Sequence, residues 1–206
     1  MSKILSSRSE PIQGRARLQR DKILKETCYL LKTVGLSELT TILVAKKLNI
    51  SVGTLYHYFP NKHAILFALS ELWLENIMKA MDNISSEDIE NMQLKPFVSL
   101  IVESLLEAYK ANTYLLSIVP VMATTPELKA IYDTYLNTVH GLFMGIFERL
   151  TIAISDDAAL HLPVFIHQIC HTILFNLSGD TSSDARSIAD LKYLLLTLLE
   201  RERLKF

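Results

Sequence analysis

Residues 39–62, LTTILVAKKLNISVGTLYHYFPNK, contain two short helical patterns separated by a tight turn. Thr40 precedes the first pattern and Ser51 precedes the second, and each hydroxyl can accept an amide hydrogen bond at a helix N-terminus. Asn49 lies between the patterns and tolerates a positive φ. We therefore predict a helix-turn-helix in this segment.

The apolar spacing of this segment assigns an inner and an outer side to its second helix. A helix-turn-helix needs a small residue where its helices cross, here Ala45, and apolar residues that lock the helices together. Leu48, Ile50, Leu55 and Tyr58 are suited to that locking. The residues left for the outer side, which enters the major groove in DNA-binding proteins, are Val52, Gly53, Thr54, Tyr56 and His57.

The flanking sequence is also helical in character. Apolar residues recur at three and four positions through residues 18–34, and Gly35 is placed to end that helix. Pro60 stops the third helix, and Asn61 can cap a fourth that runs from Lys62 to about residue 81. Strand-type alternation is scarce, so we predict an all-α fold. Beyond a polar stretch at residues 83–91, we expect helices near residues 94–111, 113–122, 126–154, 157–177 and 184–203, with a break at 178–180.

The charge distribution divides the chain. Residues 1–62 hold 11 Lys or Arg against four Asp or Glu, whereas residues 63–206 hold 10 against 18, so the local balances are +7 and −8. Phosphate contacts need positive charge only locally, which favours a DNA-binding head on a body that does not bind DNA. We predict a flexible basic arm over residues 1–16, a DNA-binding domain over 17–63 and a helical domain over 64–206.

The segment SVGTLYHYFPNK, residues 51–62, resembles the signature of the TetR family of bacterial regulators. The resemblance extends over about residues 18–70 and includes the helix ending at Gly35, the Thr40-Thr41 helix start and Ala45. The sequence departs from the family pattern at Asn49, where glycine is frequent, and at residues 36–39, where an aromatic residue often follows the glycine. The resemblance implies a three-helix DNA-binding head, a long fourth helix, a ligand-binding and dimerising body, and repression that a ligand relieves.

The same resemblance implies specific DNA contacts. Thr40, Thr41 and Lys62 would meet phosphate, while Thr54 and Tyr56 would meet backbone or base edges. Tyr56 could instead be a half-buried core tyrosine, and a base-reading role for His57 is left open. The expected interface comprises Thr40, Thr41, Ser51, Val52, Gly53, Thr54, Tyr56, His57 and Lys62.

The last two predicted helices are strongly apolar. In the family that the chain resembles, this pair forms a dimer interface, which implies a homodimer through residues about 157–203 and a palindromic operator. The alternative is that both apolar stripes face only the internal core of one chain.

The middle helices carry aromatic residues and methionine suited to an apolar pocket with a few hydroxyl groups. We therefore expect a small-molecule effector that is apolar or amphipathic, although such residues also form ordinary cores. The candidate ligand-binding residues are Tyr109, Tyr114, Met122, Tyr132, Tyr135, Phe143, Phe147 and His171.

Other chemistries find little support in the sequence. His167 and His171 lie one helical turn apart with Cys170 between them, but no carboxylate or further ligand cluster accompanies them, so we expect no metal and no cofactor. No nucleophile elbow, phosphate-binding glycine loop or convincingly placed pair of carboxylates occurs, so we expect no enzyme. Cys28 and Cys170 are expected to be free thiols.

No stretch of the sequence has the length and apolar character expected of a signal core or a membrane span, so we expect a cytoplasmic protein with no membrane contact. Two further alternatives remain at this point. The chain could be an activator or a regulator that responds to a partner protein, or it could be a purely structural helical dimer.

Overall fold

The computed structural model describes residues 14–150, 152, 155–177 and 181–203. These residues form nine α-helices and contain no strand, which confirms the predicted all-α fold. The helices are α1 (Gly14–Glu38), α2 (Thr41–Lys47), α3 (Val52–Tyr58), α4 (Lys62–Ser86), α5 (Leu94–Ala111), α6 (Ile118–Thr124), α7 (Lys129–Arg149), α8 (Asp156–Phe175) and α9 (Thr181–Arg203).

The three predicted helix caps are present. Thr40 Oγ1 accepts a hydrogen bond from the amide of Leu43 at 3.1 Å, and Ser51 Oγ accepts one from the amide of Thr54 at 2.9 Å. Asn61 caps α4 in the same manner at 2.9 Å. Each cap satisfies an amide in a first turn that has no partner within its own helix, so the starts of α2, α3 and α4 are fixed locally.

Helix α1 differs from its prediction at both ends. It begins at Gly14, so residues 14–16 of the predicted arm are helical, and residues 1–13 lie outside the described residues. Gly35 has φ 79° and ψ 175°, so it interrupts the helical geometry where the sequence predicted the end of the helix. The chain then resumes a helical course as far as Glu38.

The middle of the chain is more finely divided than predicted. Helix α4 extends to Ser86, five residues past its expected end. Residues 113–124 form a 3₁₀ turn, Thr113–Ser117, and then α6, because Pro120 lacks an amide and fits the first turn of a new helix better than a helix interior. A second 3₁₀ turn, Pro126–Leu128, precedes α7, and the Thr125 hydroxyl makes no cap bond there. Residues 153, 154 and 178–180, where a helix end and a break were predicted, lie outside the described residues.

The described residues form two compact units. The first comprises the residues up to Glu75 together with Asn112–Asp133, and in it α1 contacts α2, α6 and the 3₁₀ turn, while α2 contacts α3. The second comprises Asn76–Ala111 and the described residues from Thr134 onward, and in it α5, α8 and α9 pack against one another. This grouping differs from the predicted boundary after residue 63.

Helix α8 accommodates a proline in its interior. Pro163 has no amide to donate to the carbonyl of Ala159, four residues earlier. His140 of α7 donates from Nε2 to that carbonyl at 2.8 Å. A side chain from a neighbouring helix therefore replaces the hydrogen bond that the proline removes.

Helix α8 bears on the expectation that no stretch reaches the length and apolar character of a membrane span. It has 20 residues and a mean hydropathy of 1.4, so by length and composition alone it reaches the level of a membrane-crossing helix. Core helices of soluble proteins reach the same level, and α8 packs against α5 and α9. Its inner face is buried at Leu162, Ile166, Cys170 and Leu174.

Both cysteines are free, as predicted; both are also buried, and one lies in each unit. Burial raises the pKa of the Cys28 thiol to about 12, against a smaller opposing effect of a hydrogen bond with Ser117. Burial likewise raises the pKa of Cys170 to about 12. Both side chains therefore remain neutral thiols at physiological pH.

Candidate nucleic-acid interface

A small apolar core holds α3 against α2. Val44, Ala45 and Leu55 are fully buried, and Tyr58 is 9% exposed. Asn49 has φ 52°, which confirms that it supplies the left-handed residue of the turn. These positions form the helix-turn-helix that the sequence predicted, with Leu48 and Ile50 half-buried at its edge.

This packing leaves the predicted outer side of α3 in solvent. Gly53, Thr54, Tyr56 and His57 are exposed, and Val52 is half-buried. Tyr56 is 39% exposed and is therefore not a core residue.

The hydroxyls of Thr41 and Ser51 lie within hydrogen-bond distance of side chains on this outer side. The Tyr56 hydroxyl forms a hydrogen bond with Thr41 Oγ1 at 3.3 Å, which connects α3 to the N-terminus of α2. Ser51 Oγ and Thr54 Oγ1 are 2.8 Å apart. Thr40, which caps α2, is exposed as well, so donors and acceptors line both helix starts.

The α2–α3 surface carries positive charge and no negative side chains. Residues 39–62 contain no Asp or Glu, while Lys46 and Lys47 lie exposed in the last turn of α2. A surface without carboxylates does not repel a phosphate backbone. The α2–α3 segment is thus chemically suited to an anionic partner with hydrogen-bonding edges.

Gly53 has no structural requirement for glycine. A Cβ atom added there would meet nothing closer than Ser51 Oγ at 3.7 Å, an ordinary van der Waals distance. Its position within α3 also requires no unusual backbone conformation. Nothing among the described residues therefore explains the missing side chain at this exposed site.

Lys62 is half-buried, and its ammonium faces the protein itself. Nζ lies 3.4 Å from the carbonyl oxygens of both Leu36 and Leu39. Nearby, the Arg20 guanidinium lies 5.7 Å from the centre of the Phe59 ring. Sequence reasoning missed both contacts, since their partners are more than 20 residues away along the chain.

The structure divides the predicted ligand-binding residues between the two units. Tyr114, Met122 and Tyr132 belong to the first unit. The other five belong to the second unit, where four are at most 2% exposed and the fifth is partly buried. These five are Tyr109, Tyr135, Phe143, Phe147 and His171.

Two tyrosine–histidine pairs occupy the interior of the second unit. The Tyr109 hydroxyl and His171 Nδ1 form a hydrogen bond of 2.6 Å, and the Tyr135 hydroxyl bonds His167 Nε2. The two imidazole rings stack with centroids 6.4 Å apart, and Phe175 lies 5.7 Å from His171. Only His171 was among the candidate ligand-binding residues, yet His167 is the more deeply buried histidine, at 2% exposed.

Burial keeps both histidines uncharged at neutral pH. It lowers the pKa of His167 to about 3, with a further contribution from neighbouring His171, and lowers that of His171 to about 4. The same burial raises the pKa of the Tyr109 hydroxyl. Nδ1 of His167 has no hydrogen-bond partner among the described residues. The cluster is therefore a neutral polar group in apolar surroundings.

A cleft of about 360 Å³ lies elsewhere in the second unit, on α4 and α5. None of the eight predicted ligand-binding residues lines it. Lys192 pairs with one of its carboxylates, that of Glu103, at 2.6 Å. Its lining is mostly polar and acidic: Asn83, Ser86, Glu87, Leu100, Glu103, Ser104 and Glu107.

Known sequences match the N-terminal part of this chain. The family profile "Bacterial regulatory proteins, tetR family" matches residues 23–69. The chain is 40% identical over 58 residues to tetracycline repressor protein class C of Escherichia coli, covering 28% of this chain and 26% of that protein. It is 30% identical over 76 residues to the nucleoid occlusion factor SlmA of Vibrio atlanticus, covering 36% of this chain and 39% of that protein. The matched segments thus span well under half of each relative.

Solved structures extend the likeness in fold to most of the chain. A tetR-family regulatory protein from Rhodococcus RHA1 covers 91% of this chain and 98% of its own, with TM-score 0.69 and 17% identity. Thermus thermophilus FadR, a TetR-family repressor in complex with lauroyl-CoA, covers 87% and 92% with TM-score 0.55 and 18% identity. Residues 23–69, which contain the helix-turn-helix described above, therefore match the N-terminal segment of the TetR family of bacterial regulatory proteins, and the fold of the chain is similar to that of solved tetR-family structures.

Proposed function

We propose that this protein is a ligand-responsive transcriptional repressor that binds a palindromic DNA operator as a homodimer in the cytoplasm. The observation that carries the proposal is the outer side of α3. It is exposed, it presents hydroxyl and aromatic side chains, and its segment contains no carboxylate. Such a surface suits the major groove, where hydroxyls and rings reach base edges and phosphates.

The proposed DNA contacts follow from this exposure. Thr40 and Thr41 lie at the positive end of the α2 dipole and suit phosphate oxygens. Ser51, Val52, Gly53, Thr54, Tyr56 and His57 form the groove-facing side of α3. The missing side chain at Gly53 allows close approach of the DNA, because no contact within the protein accounts for the glycine.

The dimer proposal for residues about 157–203 rests on exposed apolar side chains of α8 and α9. One stripe of each helix is buried, but large apolar residues also lie on the opposite sides. Leu160 is 78% and Tyr193 73% exposed, and Phe165, Phe175 and Leu194 are about 40% exposed. A second copy of the chain would remove this surface from water and present two heads to successive major grooves.

The proposed effector is apolar or amphipathic. In the second unit, Phe143 and Phe147 provide apolar surface, and the two tyrosine–histidine pairs provide uncharged hydrogen-bonding groups. The complex of the FadR neighbour with lauroyl-CoA is an instance of this fold with an amphipathic ligand. To release DNA, the effector must bind two conformations of the protein with different affinity.

The first test selects operators from a random double-stranded DNA library and measures affinity at two salt concentrations. We expect binding that weakens steeply with salt, because several phosphates are contacted. Tyr56→Ala should weaken binding about tenfold, while Tyr29→Ala, at a tyrosine 59% exposed in α1, should leave binding unchanged. A reporter gene carrying the selected operator then distinguishes repression from activation.

Two results would contradict the proposal. One is failure of the pure protein to enrich any sequence from the library. The other is equal loss of affinity in the Tyr56 and Tyr29 variants, because the outer side of α3 would then have no special role.

A further inference from the structure

The ammonium of Lys62 lies at an unusual place for a DNA-contacting charge. Lys62 is the first residue of α4, where the helix dipole is positive and stabilises anions rather than cations. Its side chain is half-buried, and its Nζ lies at equal distances of 3.4 Å from two backbone carbonyls, those of Leu36 and Leu39. No other hydrogen bond or ion pair involves this ammonium among the described residues.

The Leu36 carbonyl lies in the last turn of α1 and the Leu39 carbonyl in the short connection to α2, and residues 36–39 are called the Leu36–Leu39 turn below. The last carbonyls of a helix have no partner in their own helix, and a lysine can satisfy them while matching the negative end of the dipole. Gly35 disrupts α1 just before Leu36, so this turn receives less support from regular helix bonding. Leu39 is 1% exposed, which anchors the far end of the turn in the core.

The turn leads directly to the start of α2. Thr40, which caps α2, follows Leu39 in sequence, and Thr41 is the first residue of the helix. Movement of the Leu39 carbonyl therefore displaces both threonines and the Thr41–Tyr56 hydrogen bond.

We propose that Lys62 is a positioning residue: it clamps the Leu36–Leu39 turn to the start of α4 and so holds the N-terminus of α2 in its DNA-binding position, without itself contacting phosphate. The DNA part of this inference rests on the proposed function. The clamp itself is a property of the DNA-free protein and is testable separately.

The two roles predict different salt dependence. Removal of a lysine that contacts phosphate lowers the slope of log affinity against log salt by about 0.9. Removal of a clamp leaves that slope unchanged and lowers affinity by a similar factor at every salt concentration.

The test uses Lys62→Met, which removes charge and donors, and Lys62→Gln, which removes the charge but keeps a donor. The Leu43 amide donates a hydrogen bond to the Thr40 hydroxyl, and its hydrogen-exchange rate is measured in the DNA-free protein. We expect exchange about tenfold faster in Lys62→Met and close to wild type in Lys62→Gln. DNA affinity should be reduced in Lys62→Met and close to wild type in Lys62→Gln. The slope of log affinity against log salt should equal that of wild type in both variants.

If the Leu43 amide exchanges at the wild-type rate in Lys62→Met, Lys62 does not hold the Leu36–Leu39 turn in place. If Lys62→Gln lowers the slope of log affinity against log salt, Lys62 contacts phosphate and the proposal is wrong. If the wild-type protein binds no DNA, the proposed function fails while the exchange measurement still decides the clamp. Should Lys62→Met fail to fold, Lys62→Gln remains decisive, because only a phosphate contact predicts loss of slope in that variant.

Discussion

The paired histidines of α8 predict a specific loss of stability in mild acid. His167 and His171 have pKa values of about 3 and 4 in the folded protein, below the ordinary value of 6.5 that the unfolded chain restores. Between these values the unfolded chain binds protons and the folded chain does not. Stability is therefore full above pH 6.5 and falls as the pH is lowered towards 4.

The size of the effect follows from proton linkage. Well below pH 6.5, each histidine that stays neutral when folded reduces the free energy of unfolding by about 1.4 kcal/mol per pH unit. At pH 5 the reduction is about 2 kcal/mol for each histidine and about 4 kcal/mol for the pair. This is a large share of the ~5–15 kcal/mol that stabilises a typical domain.

The assay is urea unfolding at about pH 7.5 and at pH 5, comparing wild type with the double variant His167→Gln/His171→Gln. Glutamine does not titrate and can still bond the two tyrosine hydroxyls. We expect the double variant to lose about 4 kcal/mol less than wild type between the two pH values. His161→Gln, at an exposed histidine of the same helix, should behave as wild type. Equal acid sensitivity of wild type and the double variant would refute the reasoning.

Three further variants test the head and the body. Leu55→Ala, at a fully buried leucine, should reduce the free energy of unfolding by ~2–5 kcal/mol in denaturant titrations, and a loss below 1 kcal/mol would show that α3 is not locked by this residue. Gly53→Ala should stabilise the fold by about 0.5–1 kcal/mol because alanine favours helix, yet weaken DNA binding in mobility-shift assays. Unchanged binding would remove the case for close approach of DNA. Leu160→Glu with Tyr193→Glu should convert a dimer to a monomer in light scattering, whereas Leu18→Glu, at a leucine 64% exposed in α1, should not. A dimer that survives the double substitution would place the interface elsewhere.

The parts of the structure that the sequence predicted correctly depend on neighbours along the chain. The caps Thr40, Ser51 and Asn61 act on amides three residues later, and the positive φ of Asn49 is a property of the residue itself. The apolar spacing of Leu55 similarly fixes the inner side of α3. Local rules of this kind were sufficient to predict the helix-turn-helix and its exposed side.

Other features depend on contacts between distant segments. Lys62 bonds carbonyls 23 and 26 residues earlier, and Pro163 is tolerated within α8 because His140, from another helix, bonds the freed carbonyl of Ala159. The sequence offers no spacing rule for either contact. Periodicity likewise marks Tyr135 as buried without distinguishing a packed core from a ligand-binding surface.

The two buried thiols allow the opening of each unit to be followed without added probes. Cys28 and Cys170 lie in different units, and each remains protonated and inaccessible while its surroundings stay packed. An alkylating reagent therefore modifies each cysteine only when its own unit opens, at a rate set by that opening. Peptide mass spectrometry of a timed labelling reaction would read the two rates from one sample. The alkylation rate of one native cysteine thus reports the opening of each unit in the wild-type chain.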